Sequence, residues 1–134
     1  MSAELRRWLS GLDRRRFDAA EGAVTCWFGA KGESRRHEVR LVDEGHQVRM
    51  EATIATRSHV ERMGADGFSV YRWTWRRNRG NAIVGFRVDR RERLIAEAVA
   101  PKVGLTDAEF ETYLLAVASE ADRMELVLTG RDVQ

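Results

Sequence analysis

In 134 residues the chain has one cysteine, one proline and, among its 23 basic residues, only Lys31 and Lys102 that are not arginine. A lone cysteine, Cys26, excludes an internal disulfide and agrees with a reducing compartment. With one proline and no low-complexity run or internal repeat, nothing resembles a linker or a solenoid. Nowhere do about 18 apolar residues follow one another, and Met1-Ser2-Ala3-Glu4-Leu5-Arg6-Arg7 lacks the apolar core of a signal peptide. The expectation is a cytoplasmic protein with no membrane partner. The phosphate-loop, dinucleotide-binding, nucleophile-elbow and zinc-protease motifs are also missing. Gly29-Ala30-Lys31-Gly32-Glu33-Ser34 lacks phosphate-loop spacing and reads as a hairpin turn.

A 43% hydrophobic and 33% charged composition is that of an ordered globular chain. One domain over residues 1–134 suits this length, which suffices to bury roughly 65–70% of the unfolded surface. The net charge is only +2, but it is unevenly spread: residues 94–134 hold three basic and eight acidic side chains, and the rest of the basic excess precedes them. Between Arg72 and Arg93 stand eight arginines against Asp89 and Glu92, a cluster suited to phosphates or an acidic protein surface.

The clearest element is the last. Thr106 and Glu109 form a capping box, and Phe110, Leu114, Val117, Ala121, Met124 and Leu128 follow at helical spacing until Gly130 stops the helix. Before it, Asn81 to Val99 reads as a strand hairpin. At the other end, residues from about Ala3 to Ala20 read as a first helix. Three strands follow as a meander: Val24, Cys26 and Phe28; Val39 and Leu41; then Val48, Met50, Ala52 and Ile54, with a hairpin turn at Asp43–His46. Thr56 or Ser58 caps a short helical turn, and an aromatic, basic helix runs from about Phe68 to Asn78. The resulting α+β order is helix, three-stranded antiparallel meander, helix, two-strand hairpin and long C-terminal helix, with helices packed on the sheet.

No convergent polar site appears. Cys26 shares a face with Val24 and Phe28 and reads as core packing. His37, His46 and His59 have no ligands at metal spacing and read as surface, and the acidic residues read as solvated helix faces. The expectation is no catalysis, metal or cofactor.

Two segments point instead to an interface. Trp73 and Trp75, two apart on a helix, face different sides, so one turns outward, and Arg72, Arg76, Arg77 and Arg79 crowd the same helix and its exit. In the hairpin, an odd-numbered turn around Asp89-Arg90-Arg91 puts Ala82, Val84, Phe86 and Val88 on one face with Leu94, Ala96 and Ala98. The other face then carries Ile83, Gly85, Ile95 and Val99 beside Arg87 and Glu97. An even turn reshuffles these sets and leaves both faces largely apolar. Such a sheet calls for cover on both sides, one by its own helix and the other by a second copy or a protein client.

Trp73-x-Trp75-Arg76-Arg77-Asn78, Phe86-x-Val88-Asp89, Leu105-Thr106-x-x-Glu109-Phe110-x-x-Tyr113-Leu114, Ala121-Asp122-Arg123 and Leu128-Thr129-Gly130 are similar to the YbjN-like bacterial proteins. That family's fold resembles the class I type III secretion chaperones. The similarity covers about residues 68–130 and implies a homodimer of α+β protomers that binds other proteins and has no catalytic residues to carry over. Secretion chaperones are typically acidic and this chain is basic, so a chaperone-like adaptor or regulator is the leading reading. A nucleic-acid-binding accessory protein using the Arg/Trp-rich segment 72–93, or an adaptor for nucleic-acid-processing proteins, is the alternative.

Overall fold

The computed structural model describes residues 2–28, 35–80 and 83–129. The Gly29–Ser34 turn, Asn81, Ala82 and the Gly130 stop lie outside the described residues. Ten elements follow in the order α1 (Ala3–Ser10), β1 (Phe17–Ala20), β2 (Ala23–Trp27), β3 (Arg36–Asp43), β4 (Gln47–Ala55), α2 (Arg57–Ala65), α3 (Val70–Asn78), β5 (Gly85–Val88), β6 (Leu94–Pro101) and α4 (Asp107–Thr129). The six strands form one sheet in the order β1-β2-β3-β4-β6-β5, with every neighbouring pair antiparallel.

The first helix is shorter than its apolar pattern suggests. Ser2 caps it, its side chain accepting from Leu5 N–H, and Gly11 ends it. Asp13 then turns the chain: its side chain accepts from Arg15 N–H at 3.0 Å and its carbonyl from Phe17 N–H at 3.0 Å. Phe17–Ala20 therefore forms a fourth meander strand, which the sequence pattern absorbed into the helix. Gly22, at φ 78°, makes the tight turn that pairs Ala20 with Ala23.

One face of the sheet is the core. Val48, Met50, Ala52 and Ile54 of β4 alternate inward, joined by Val24 and Cys26, Val39, and Leu94, Ala96 and Ala98. Over them lies α4, whose Phe110, Leu114, Val117, Ala121 and Met124 are buried, each large one contributing about 1.5–3 kcal/mol. Trp8 of α1 stacks on Phe110 with centroids 5.5 Å apart. The expected capping box starts α4: Glu109 N–H donates to Thr106 Oγ1 at 3.1 Å, and Thr106 N–H to Glu109 Oε1 at 3.0 Å.

The β5–β6 turn is odd-numbered. Val88 pairs with Leu94 and Gly85 with Glu97, so Phe86 and Val88 face the core with Leu94, Ala96 and Ala98. On the opposite face the expectation of an apolar surface needs correction, because an ion-pair lattice crosses the strands there. Arg87 pairs with Glu51 at 2.9 Å and with Glu97 at 2.8 Å, and Arg49 with Glu44 at 2.7 Å and with Glu51 at 3.3 Å. Ile95 stands in this lattice, opposite Thr53 and Arg87, and is fully buried within the protomer. An arginine stem covers apolar surface while its head stays wet, so Ile95 is covered without a second helix layer, while Val99 on the same face stays about half exposed.

Candidate functional site

The segment with the most exposed aromatic surface is α3. Ser69 caps it by accepting from Arg72 N–H at 3.3 Å, and Arg76 and Arg77 occupy its last turn, where cations suit the dipole. Its inward side buries Val70 and Thr74. Trp73, half-buried, meets Phe86 of β5 edge-on at 5.2 Å. Trp75 points the other way and is 62% exposed. The two indoles therefore separate as helical geometry requires.

Tyr71, 68% exposed, stands one turn before Trp75 and shares its side. Tyr71 is not among the residues nominated from the sequence, although its four-residue spacing to Trp75 is visible in the chain. All four sequence-nominated arginines are exposed. Arg79 lies over the Trp75 ring at 4.8 Å and Arg77 over Trp73 at 5.7 Å, contacts that order both partners. Arg76 and Arg77 also line a hollow of about 240 Å³ with Gly80, Phe86, Glu120 and Arg123. No ion pair to Arg72 or Arg76 occurs among the described residues.

The remaining nominated residues divide. Ile83, two residues before β5 begins, and Val99, on β6 two residues past Glu97, are about half exposed. Gly85 is half-buried, with the Asn78 side chain 3.7 Å from where a Cβ would stand. Ile95, being buried, is not part of any free surface, so the candidate set becomes Tyr71, Trp73, Trp75, Ile83, Gly85 and Val99 with the four arginines.

The groups that carry catalysis elsewhere are set differently here. Burial pushes the Cys26 thiol up to about 12, so it is a neutral core residue. His37 is fully buried rather than on the surface, since β3 turns it toward α4; its Nε2 meets the Thr53 carbonyl at 2.8 Å. Burial holds its pKa below the ordinary value, against the opposing effects of that hydrogen bond and of Asp122. Asp122 and Glu125 are likewise buried rather than on a solvated helix face, and Asp122 pairs with Arg35. Among the described residues no group of three His, Cys, Asp or Glu side chains is placed to hold a metal ion. No described helix is long and apolar enough to cross a membrane.

No family model matches the chain, and no curated protein matches it in sequence. Solved structures do match in fold. A chain of the ExsC–ExsE complex is 17% identical with a TM-score of 0.56, covering 96% of each chain. The Yersinia pestis type III secretion chaperone SycH, in complex with a stable fragment of YscM2, gives 11% identity and 0.53, over 92% of this chain and 98% of that one. YbjN from E. coli gives 17% and 0.50, over 94% and 87%. The fold is that of the type III secretion chaperones and YbjN, as the resemblance in residues 68–130 implied.

Proposed function

We propose that this chain is a single-domain, non-catalytic protein-binding module, homodimeric, acting as a chaperone-like adaptor or regulator in the bacterial cytoplasm. The observation that carries the reading is the outer side of α3. Two large aromatics, Tyr71 and Trp75, stand in solvent among guanidinium groups, the residue types that anchor protein interfaces. Two of the similar folds were crystallised with protein partners, ExsE and YscM2, which supports a protein as the ligand. Ile83 and Val99 add exposed apolar surface for a second copy or a client.

Light scattering coupled to size exclusion across the micromolar range tests the dimer, and a monomer throughout removes it. Affinity purification with and without nuclease tests the client. Protein that remains after nuclease and is lost from a Trp75→Ala variant supports the adaptor. Loss of everything on nuclease treatment favours the nucleic-acid alternative through Arg72, Arg76, Arg77 and Arg79.

A further inference from the structure

The face of the sheet opposite the helices holds a second feature, remote in character from α3. A concavity of about 560 Å³ is lined by Arg40, Arg49, Arg87, Arg90, Arg91 and Arg93, with Asp89 the remaining lining residue. These arginines arrive from β3, β4 and the β5–β6 hairpin, so only the folded sheet gathers them. Four of the six are engaged with carboxylates: Arg40, Arg49 and Arg87 through Glu51 and its neighbours, and Arg93 with Asp89 at 2.7 Å. Arg90 and Arg91 have no ion-pair partner among the described residues. On the floor, the buried Arg40 Nη2 and Arg49 Nε both face the Glu51 carboxylate, at 3.8 and 3.3 Å, so the unengaged charge lies at the rim.

The rim is held in shape before any ligand arrives. Asp89 accepts from both Arg91 N–H and Arg93 N–H at 2.9 Å, and Glu92 of the same turn pairs with Arg57 at 3.0 Å. The turn that presents Arg90 and Arg91 is therefore fixed at both its root and its tip, which lowers the ordering cost of binding.

The lining decides among anions. It contains no aromatic ring on which a base could stack and no apolar wall of the sort that small-molecule sites use. Glu44, Glu51, Asp89 and Glu97 already neutralise four of the six guanidinium charges, leaving an excess of two. Duplex nucleic acid, with one charge per about 1.7 Å, demands a denser and less compensated surface. An excess of two, with forked donors that match carboxylates, suits a few acidic side chains on an extended chain.

We propose that this arginine groove binds an acidic segment of a partner protein, with carboxylates engaging Arg90 and Arg91 at the rim. The proposal rests on the protein-binding reading only in taking a protein as the source of the carboxylates. The test is fluorescence anisotropy of the full chain with a labelled glutamate peptide of about six residues, its glutamine counterpart, and a labelled DNA duplex of about twenty base pairs, at about 0.1 M salt. The expected result is binding of the glutamate peptide alone, weakened about tenfold by R90Q/R91Q and unchanged by R62Q, an exposed arginine on α2. Arg90 and Arg91 are exposed and unpaired, so the double variant should melt as the parent does. The proposal is overturned if the glutamate peptide does not bind, if R90Q/R91Q binds it as tightly as the parent, or if duplex DNA binds more tightly than the peptide. A chain that still captures clients through Trp75 but ignores the peptide keeps the adaptor reading and loses the groove.

Discussion

Asn78 holds Phe86 by both of its backbone groups. Its Nδ2 donates to the Phe86 carbonyl at 2.9 Å, and its Oδ1 accepts from Phe86 N–H at 2.7 Å. The side-chain amide thus does what a neighbouring strand would do. Since β5 is an edge strand, the last residue of α3 closes the exposed ladder at the point where another chain would pair.

Asn78→Ala should therefore cost about 1–3 kcal/mol, because it leaves both backbone groups of Phe86 to find water. It should also raise the tendency to associate through the β5 edge. Melting temperature and light scattering at rising concentration check the two parts. An unchanged melting temperature would mean that water replaces the amide without loss.

The capping box at α4 gives a second prediction. Thr106→Ala removes the acceptor for Glu109 N–H and should destabilise the fold by about 0.5–2 kcal/mol. The reciprocal bond also holds the Glu109 carboxyl below its ordinary pKa, so its contribution is present above about pH 4.5 and is lost as pH falls below it. Chemical denaturation of Glu109→Gln, which removes the titrating carboxylate, should show a smaller difference from the parent at acid pH than at neutral pH.

His37 supplies a pH dependence of its own. Burial depresses its folded pKa, so as pH falls through 6.5 the unfolded chain takes up a proton that the buried ring does not. The unfolded state then binds more protons, and stability falls with falling pH. The denaturation midpoint should decline between about pH 7.5 and 5.5, and His37→Gln should flatten that decline even if the variant is less stable throughout. A parent whose midpoint is level over this interval would show that the ring protonates in place.

The elements best read from the chain are those whose patterns are long and locally capped. The β4 alternation and the α4 stripe, with Thr106 and Glu109 ahead of it, each satisfy one period only. Phe17 is different: with Trp8, Leu9 and Leu12 it prolongs a helical stripe, yet it also begins a strand. What decides is Gly11 ending the helix, Asp13 turning the chain and Gly22 returning it onto β2. The parity of the β5–β6 turn was left open because it depends on Asp89 and on Glu92 at φ 60°, a conformation the pattern of apolar residues does not encode. Ile95 was misplaced for a non-local reason. The Glu51 carboxylate that draws Arg87 across it comes from β4, 36 residues away from Arg87 in the chain. The arginine groove was hidden likewise: Arg87, Arg90, Arg91 and Arg93 form a visible cluster, but Arg40 and Arg49 join it only through strand pairing. Separation of Trp73 from Trp75, by contrast, follows from two helical positions and was legible.

That separation yields the sharpest test of the interface. Trp73→Ala removes the ring that meets Phe86 and should cost more than about 1 kcal/mol, short of the roughly 3–5 kcal/mol of a fully buried tryptophan because part of its surface is already wet. Trp75→Ala removes only a solvated ring and its contact with Arg79, so its melting temperature should stay near that of the parent. For binding the order reverses. Trp75→Ala should weaken self-association or client capture by about 2 kcal/mol or more, as interface tryptophans do, and replacing Arg72, Arg76, Arg77 and Arg79 with glutamine should weaken it further. Ile83→Glu and Val99→Glu should fold normally and act in the same direction, while Ile95→Glu should unfold the protomer by placing a charge beneath the Arg87 lattice. If Trp75→Ala leaves both oligomeric state and client affinity intact, the exposed side of α3 is plain solvated surface and the protein-binding site lies elsewhere on the molecule.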